Sequence, residues 1–491
     1  MSAPRSDRWF EIATFFLFAF IGTMQASYPT LPRQTDETNY IATAYKMERT
    51  WTLTSATHHP IDILRHGLEH KHVKMPAYLL LLAGWLELFP DPDSIRVLNE
   101  LLFGGAMLGL LWFAFRDSRH SRGIIALGGL VLLSTPMGIA YSTTAMMESF
   151  VLAVAVLHFL AWFANRGRQR RLWLFYLTGF LAFVTKETLL FLSLGLVLSE
   201  PREFVAMHAR LWNQSRARFA GLVAMVASLG TVAVFLFRDR GYHPSFRNRL
   251  AEAAGLGPKL HMVGNNLAEN LGRFASWSVF PHDYFYAYAL GCFAAAVALT
   301  IVGWRSAWRP RFLALAITWS ITILFVCALY DNYHWRSHRI YSVWVVLTTT
   351  AAIGWVLGAS FSPRARVAVL LPALLLNGYL AFQMNRYMIT MRGPFIPKKH
   401  VLTTRGLANE GDCMLQDFGF HFLMENLHCE LIWRVPQDDD SLRAVVERAK
   451  PRFAILPEGR DIASLGYRRI DRYYDSVVWI RAEDAGNQAP R

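Results

Sequence analysis

The sequence predicts an α-helical polytopic membrane protein that ends in a small C-terminal α/β domain. Of its 491 residues, 53% are hydrophobic and 18% are charged, whereas soluble proteins carry about 25% charged residues. The mean hydropathy is +0.23. Apolar runs near the roughly 20 residues that cross a bilayer recur along the chain before a polar segment begins at residue 391.

About eleven apolar runs are interpreted as membrane spans. They are Trp9–Ala26, Val97–Phe115, Gly123–Ala140, Ala145–Phe163, Leu172–Val184, Leu189–Leu198, Phe219–Phe237, Tyr286–Gly303, Phe312–Tyr330, Ile340–Ala359 and Val367–Phe382. The first is longer than the apolar core of an ordinary signal peptide, and further spans follow it, so we interpret it as a retained anchor. The fifth and sixth are short, which is compatible with two half-buried helices or with one long helix.

The arginines give the orientation. With the N-terminus inside, every connection predicted on the inner side is basic, as the positive-inside rule requires. Residues 27–96 and 238–284 then form long outer loops, and residues 77–89 of the first are interpreted as an interfacial helix. The second loop is either a solvated amphipathic cover or a surface for an anionic lipid or acceptor. Because the net charge of +14 lies in short loops rather than one patch, nucleic-acid binding is disfavoured.

Residues 391–491 are predicted to form an outer-face domain, since short β-like runs alternate there with helix-like ones. Cys413 and Cys429 both lie in it, and a disulfide between them stays open because the sequence does not give their distance. Cys292 and Cys327 lie in spans and are interpreted as packing residues.

Ionisable side chains gather at the predicted outer face. Acids occur at Asp36, Glu37, Glu148 and Glu187, and bases occur at Lys74, Lys186, His338 and Arg339. A carboxylate can act as a general base on an incoming hydroxyl, and cations can hold a phosphate as its charge develops. Apolar helices can surround a lipid tail. This set of groups suits glycosyl transfer from a lipid-linked phosphosugar.

The motifs resemble those of the GT-C membrane glycosyltransferases, in the branch with the protein O-mannosyltransferases and the lipid A aminoarabinose transferase. Residues 1–390 carry the family's elements in order. The elements are Asp36-Glu37-x-x-Tyr40 in the first outer loop, Lys74-Met75-Pro76-Ala77-Tyr78, Met146-Met147-Glu148 with Glu in place of Asp, Thr185-Lys186-Glu187, and Arg339-Ile340-Tyr341 without the family's proline.

The resemblance implies a polyprenyl-phosphate sugar donor and an inverting transfer to a lipid, glycan or protein acceptor. It implies catalytic roles for Asp36, Glu37 and Glu148. It further implies donor-phosphate binding by Lys74, Lys186, His338 and Arg339, and substrate binding by Tyr40, Tyr78 and Glu187. The expected location is the bacterial inner membrane, with the N-terminus cytoplasmic and the active site and C-terminal domain periplasmic. No cofactor is implied with certainty, and a divalent metal ion stays open because only some relatives use one.

The sequence also allows other interpretations of these residues and of the function. Asp36 and Glu37 would also suit the N-terminus of a helix, where acids are favoured. A transporter or flippase of a lipid-linked saccharide is the leading alternative, although internal repeats are not evident. A membrane scaffold, or a glycan polymerase or ligase, would fit the same topology.

Overall fold

Helices make up most of the computed structural model. It describes residues 35–72, 76–115, 122–135, 147–168, 170–241, 253–275, 283–329, 334–359, 361–392, 408–417, 422, 426–473 and 475–485. The helices are α1 Thr35–Thr50, α2 Pro60–His66, α3 Pro76–Leu88, α4 Ser94–Phe115, α5 Arg122–Leu133, α6 Glu148–Phe163, α7 Arg170–Thr185, α8 Leu190–Ser199, α9 Pro201–Gln214, α10 Arg216–Phe237, α11 Leu256–Ala275, α12 Asp283–Val302, α13 Arg309–Leu329, α14 His334–Gly358, α15 Pro363–Arg392, α16 Asp439–Ala449 and α17 Ala482–Ala485. The strands are β1 Thr57–His58, β2 Cys413–Gln416, β3 Glu430–Ile432, β4 Phe453–Pro457, β5 Tyr467–Tyr473 and β6 Ser476–Arg481.

The described residues divide into two compact units. The helical unit takes its residues from Arg96–Ala233 and Pro244–Met388, and the sheet unit takes them from Thr30–Ile95, Val234–His243 and Ile389–Arg491. The sheet unit therefore joins the first predicted outer loop with the C-terminal segment.

The helical unit is that of a multi-pass membrane protein. Five described helices are long and apolar enough to cross a bilayer, namely Ser94–Phe115, Arg216–Phe237, Arg309–Ala328, Tyr341–Gly358 and Pro363–Gln383. Most of the shorter apolar helices coincide with other predicted spans. The predicted first span, Trp9–Ala26, lies outside the described residues.

The fifth and sixth predicted spans are separate helices. Helix α7 ends at Thr185, Lys186 has extended backbone angles, and a short 3₁₀ turn of Glu187–Leu189 leads into α8. His158 of α6 ties the three helices together. Its Nδ1 is hydrogen-bonded to Thr178 Oγ1 at 2.8 Å, and its Nε2 is hydrogen-bonded to Ser193 Oγ at 2.9 Å. Hydrogen bonds between helices help to hold membrane spans together, because the hydrophobic effect drives little association of helices inside a bilayer.

At the other end of these helices, one buried carboxylate collects three donors. Glu200 accepts from Arg171 at 2.5 Å, from Arg166 at 2.7 Å and from the Trp162 indole at 3.0 Å. The Arg171 side chain is fully buried and stacks on the Trp162 ring. The positive-inside rule counts Arg166 and Arg171 in one of the basic inner connections. The structure shows that the Arg171 side chain is buried and paired with Glu200.

The sheet unit is built on six strands in the order β1-β3-β2-β4-β6-β5. The pairs from β1 to β4 are parallel, whereas β4, β6 and β5 are antiparallel. Helix α16 covers one face, and it begins where Asp438 accepts a hydrogen bond from Ser441 N at 2.7 Å. The sequence predicts the α/β character of residues 391–491 but places Thr57 and His58 in a loop. In the structure these two residues form the edge strand of the sheet.

The four cysteines are free thiols, so the disulfide left open by the sequence does not form in this structure. Successive side chains of a strand point to opposite faces of the sheet. Cys413 packs with Leu415 on the face covered by α16, whereas Cys429 packs with Met414 on the other face. The Cys429 thiol donates instead to Asn409 O at 3.2 Å.

Strand β1 brings a buried polar cluster to the edge of the sheet. The carboxylate of Glu430 accepts from His58 Nε2 at 2.8 Å and from Lys46 Nζ at 2.9 Å. His58 Nδ1 lies 3.4 Å from His70 Nδ1, and His70 Nε2 lies 3.7 Å from an Asp62 oxygen. All five of these side chains are buried.

Loss of the Glu200 charge should destabilise the helical unit. Replacing Glu200 with Gln leaves Arg171 as a buried charge without a counter-ion, which is expected to cost about 3–5 kcal/mol. Thermal unfolding of the full chain in detergent measures this loss. Glu203→Gln is the matched control, because it breaks the solvent-exposed pair with Arg210, and its cost should stay below about 1 kcal/mol. Equal shifts of the midpoint for the two variants would contradict the interpretation.

The sheet unit should lose stability in mild acid. Burial lowers the pKa of His58 from 6.5 to about 4. Between these two pH values the folded protein carries a neutral imidazole, whereas the unfolded chain carries a protonated one. Burial also lowers the pKa values of His59 and His70. The contribution of such a group to the free energy of unfolding is fully present above pH 6.5 and is lost as the pH falls towards 4. For His58 alone the loss is about 2 kcal/mol at pH 5.

Hydrogen exchange of the β3 amides in the full chain, corrected for the intrinsic rate, measures this dependence. Protection should fall between pH 7 and pH 5 in the wild type, and it should fall less steeply in His58→Asn, whose side chain does not titrate. A slope that is the same in both proteins would remove His58 as its source.

Candidate functional site

Helix α1 carries the acidic pair that the sequence singles out. Asp36 and Glu37 lie in its first turn, where the positive end of the helix dipole favours carboxylates. The two side chains differ in exposure, because Asp36 is half-buried whereas Glu37 is completely buried. A half-buried carboxylate can reach an external substrate, and a completely buried one is better suited to holding the surrounding structure.

Helix α3 supports α1 through aromatic side chains. The Tyr40 ring meets the Tyr78 ring edge-on, with centroids 5.7 Å apart, and the His72 ring at 6.1 Å. Both tyrosines are at most 2% exposed. The two residues predicted to bind substrate thus form a packed contact between α1 and α3. The range Pro76–Leu88 confirms that residues 77–89 are largely helical, as the sequence predicts, and the helix buries several of its side chains.

A second group of predicted site residues lies at one end of the α6–α7 hairpin. Contacts between the two helices pair Trp162 with Arg171 and His158 with Thr178. The numbers fall along α6 as they rise along α7, so the helices are antiparallel. The first residue of α6, Glu148, is therefore at the same end of the hairpin as Lys186 and Glu187. Glu148 is buried, Lys186 is half-buried and Glu187 is exposed.

The remaining predicted phosphate ligands are described incompletely or not at all. Lys74 lies outside the described residues. His338 and Arg339 belong to the first turns of α14 by their backbone, and their side chains are not described. The acids Asp36 and Glu37 belong to the sheet unit, and Glu148, Lys186 and Glu187 belong to the helical unit.

The first predicted outer loop contains several histidines, including His58, His59 and His70. In the structure, His58 and His70 use their ring nitrogens in hydrogen bonds within the cluster around Glu430. His59 accepts a hydrogen bond from Ile61 N at the start of α2. Within the described ranges, no three His, Cys, Asp or Glu side chains are grouped so that they could hold a metal ion.

Three buried polar residues were not identified from the sequence as a set. Lys46, His58 and Glu430 meet although Lys46 and Glu430 are 384 positions apart. The sequence signal is weak, since Lys46 is one of several polar residues on the helix that carries the acidic pair. Such a signal does not name a partner.

Comparisons with known proteins identify the fold. No protein-family profile matches the sequence, and no curated protein sequence does. Solved structures do match. The lipid A aminoarabinose transferase ArnT from Cupriavidus metallidurans, in the apo state, superposes with a TM-score of 0.56 at 15% identity, over 97% of this chain and 100% of ArnT. The same protein bound to undecaprenyl phosphate gives 0.53 at 14% identity, over 98% and 99%.

An oligosaccharyltransferase from Archaeoglobus fulgidus, tethered to an acceptor peptide, also matches. Its TM-score is 0.54 at 10% identity, over 91% of this chain and 69% of that protein. At these identities the likeness concerns the fold. It extends over almost the whole chain, including the sheet unit. The chain therefore has the GT-C fold of these membrane glycosyltransferases, as the sequence predicts.

Proposed function

We propose that this protein is a membrane glycosyltransferase that moves a sugar from a polyprenyl phosphate to a lipid, glycan or protein acceptor. The observation that carries the proposal is the match along nearly the entire chain to ArnT, including ArnT with undecaprenyl phosphate bound. The acidic pair at the start of α1 gives this fold a reactive group. The reaction is assigned to the periplasmic side of a bacterial inner membrane, with the N-terminus in the cytoplasm and the sheet unit outside.

The chemistry is a single displacement at the anomeric carbon. The acceptor oxygen forms a bond to that carbon as the bond to the phosphate oxygen breaks, so the configuration inverts. The products are the glycosylated acceptor and free polyprenyl phosphate. A hydroxyl acceptor must lose its proton, and a carboxylate within hydrogen-bonding reach can take it. A phosphate acceptor needs no base, and the carboxylate would then orient the sugar.

Asp36 is assigned as the catalytic carboxylate. Its partial exposure supports contact with substrate, whereas the complete burial of Glu37 supports a role in fixing the first turn of α1. Glu148 is kept as a second acid, at the end of the α6–α7 hairpin. Each of these assignments is a proposal for mutagenesis.

The leaving phosphate needs cations near it, because charge develops on its oxygen as the bond breaks. Lys186 is the described candidate, since it interrupts the helix between α7 and α8 and is half-buried. Lys74, His338 and Arg339 are proposed to act with it, and Glu187 is proposed to contact the sugar. No step is assigned to a metal ion.

The first prediction of the proposed function concerns Asp36→Asn, which keeps the shape and removes the base. Turnover should fall by about 10²–10⁴-fold, as for the loss of a general base. Purified protein in detergent is given a panel of radiolabelled polyprenyl-phosphate sugars and an envelope extract, and release of free polyprenyl phosphate is followed. Glu48→Gln is the matched control, because Glu48 is a half-exposed acid on the same helix.

Three outcomes are informative. Wild-type turnover that collapses only in Asp36→Asn supports the transferase and identifies the donor. Equal turnover of wild type and Asp36→Asn keeps the transferase and removes Asp36 from its centre. Tight donor binding without release of polyprenyl phosphate favours a flippase.

A further prediction concerns Lys186. Replacing Lys186 with Met removes one charge-assisted hydrogen bond to phosphate, worth about 1.5–3 kcal/mol. Donor affinity should fall about 10–100-fold, as measured by equilibrium binding of a labelled polyprenyl-phosphate sugar. Lys186→Arg keeps the charge and should retain most of the affinity. Unchanged affinity in Lys186→Met would exclude Lys186 from the phosphate site.

A further inference from the structure

One stripe of α1 is hydrogen-bonded to the segment that forms β1. Asn39, Thr43 and Lys46 follow the i, i+4, i+7 spacing of a single helix face. Asn39 Oδ1 accepts from Thr57 Oγ1 at 2.8 Å. Thr43 Oγ1 accepts from Ala56 N at 3.2 Å, and Lys46 Nζ donates to Ser55 O at 3.0 Å.

The same short segment is hydrogen-bonded to the C-terminal sheet. Leu431 N donates to Ala56 O at 2.9 Å, and Trp433 N donates to His58 O at 3.1 Å. Residues 55–58 therefore lie between α1 and β3, with bonds to both. A strand of two residues makes few backbone hydrogen bonds to the neighbouring strand. The side-chain hydrogen bonds of Asn39, Thr43 and Lys46 are therefore a large part of what holds α1 against this edge of the sheet.

Glu430 closes this arrangement with charge. Its carboxylate accepts from Lys46 on α1 and from His58 on β1. Lys46 also donates to Leu68 O at 3.1 Å, so all three of its ammonium hydrogens have acceptors. Burial raises the pKa of Glu430, but the His58 hydrogen bond and the Lys46 charge outweigh it and lower the pKa below its ordinary value. The carboxylate is thus ionised, which suits the buried ammonium.

The C-terminal turn of α1, next to Lys46, has weaker contacts with the same part of the chain. Arg49 lies 3.3 Å from a Glu410 oxygen, and both side chains are partly exposed. The Tyr45 ring packs on the His428 ring, with centroids 4.1 Å apart. Exposed ion pairs contribute little, so the buried ion pair of Lys46 with Glu430 is the stronger of the two ion pairs that join α1 to the C-terminal segment.

We propose that the C-terminal sheet positions α1, and that Glu430 acts through Lys46 and β1 as a positioning residue for the Asp36–Glu37 turn. This inference rests on the proposed function, which places the chemistry at that turn. Ten residues of helix separate Lys46 from Asp36, about 15 Å at 1.5 Å per residue. A rotation of about 4° at Lys46 would displace Asp36 by about 1 Å, and a displacement of that size can slow an enzyme about 10²-fold.

The test compares Glu430→Gln with Asp412→Asn. The first variant removes the charge that holds Lys46. The second breaks a similarly placed ion pair of the same sheet, Arg452–Asp412, at 2.5 Å and with side chains 9% and 17% exposed. Donor-binding stoichiometry gives the fraction of folded chains, and turnover is expressed per donor-binding chain. Glu430→Gln should lose about 10–100-fold in kcat with donor Kd within threefold, whereas Asp412→Asn should keep the wild-type kcat.

Loss of kcat is a positioning effect only if the chain stays folded. The double variant Lys46→Met, Glu430→Met removes both charges at nearly constant volume, which leaves no unpaired buried charge. It should melt at a higher temperature than Glu430→Gln, which keeps an unpaired buried ammonium, and it should still show the reduced kcat. Wild-type kcat in this double variant, or equal losses in Glu430→Gln and Asp412→Asn, would overturn the proposal.

Hydrogen exchange tests the positioning role without relying on the turnover assay. Amides of residues 37–47 should exchange faster in Glu430→Gln than in the wild type, and Asp412→Asn should leave them unchanged. Unchanged exchange in Glu430→Gln would overturn the positioning role even in an active enzyme. If the wild type transfers no sugar while α1 loosens in Glu430→Gln, the proposed function fails and the attachment of α1 to the sheet stands.

Discussion

The cost of burying a charge governs both units of this protein. A buried ion without a partner is strongly destabilising, and a carboxylate close to a buried cation removes this cost. Glu200 does this for Arg171 in the helical unit, and Glu430 does it for Lys46 in the sheet unit. Each carboxylate bonds groups from more than one element. Pairing of charge therefore helps to hold α6 with α7 and α1 with β1.

Local patterns were enough to predict the membrane region. Span length and apolar composition are properties of short windows, so helices such as α10 and α13 follow directly from the sequence. The sequence leaves open whether α7 and α8 are separate helices, although Lys186 and Glu187 interrupt an apolar run there, and the structure decides for two helices. The α/β character of residues 391–491 was readable as well, since strands β4 and β6 are compact apolar runs between polar turns.

The contacts that join distant parts of the chain could not be predicted in this way. Strand β1 has two residues, too few for any periodicity, and its pairing with Leu431 and Ile432 depends on the completed sheet. The partner of Lys46 lies 384 positions away. The fate of Cys413 and Cys429 depends on which face of the sheet each occupies. The different exposure of Asp36 and Glu37 likewise depends on packing, and the sequence motif does not distinguish the two acids.

An ion pair has one property that apolar packing lacks at the edge of the sheet. Apolar side chains tolerate small shifts with little change in free energy, and they fix position only where packing is tight. The three ammonium hydrogens of Lys46 have three fixed acceptors, so a small shift of α1 would break at least one bond inside a buried site. Such a contact is a poor source of net stability and a good determinant of register. Under the proposed function, this contact on the helix that carries Asp36 would serve to place that carboxylate.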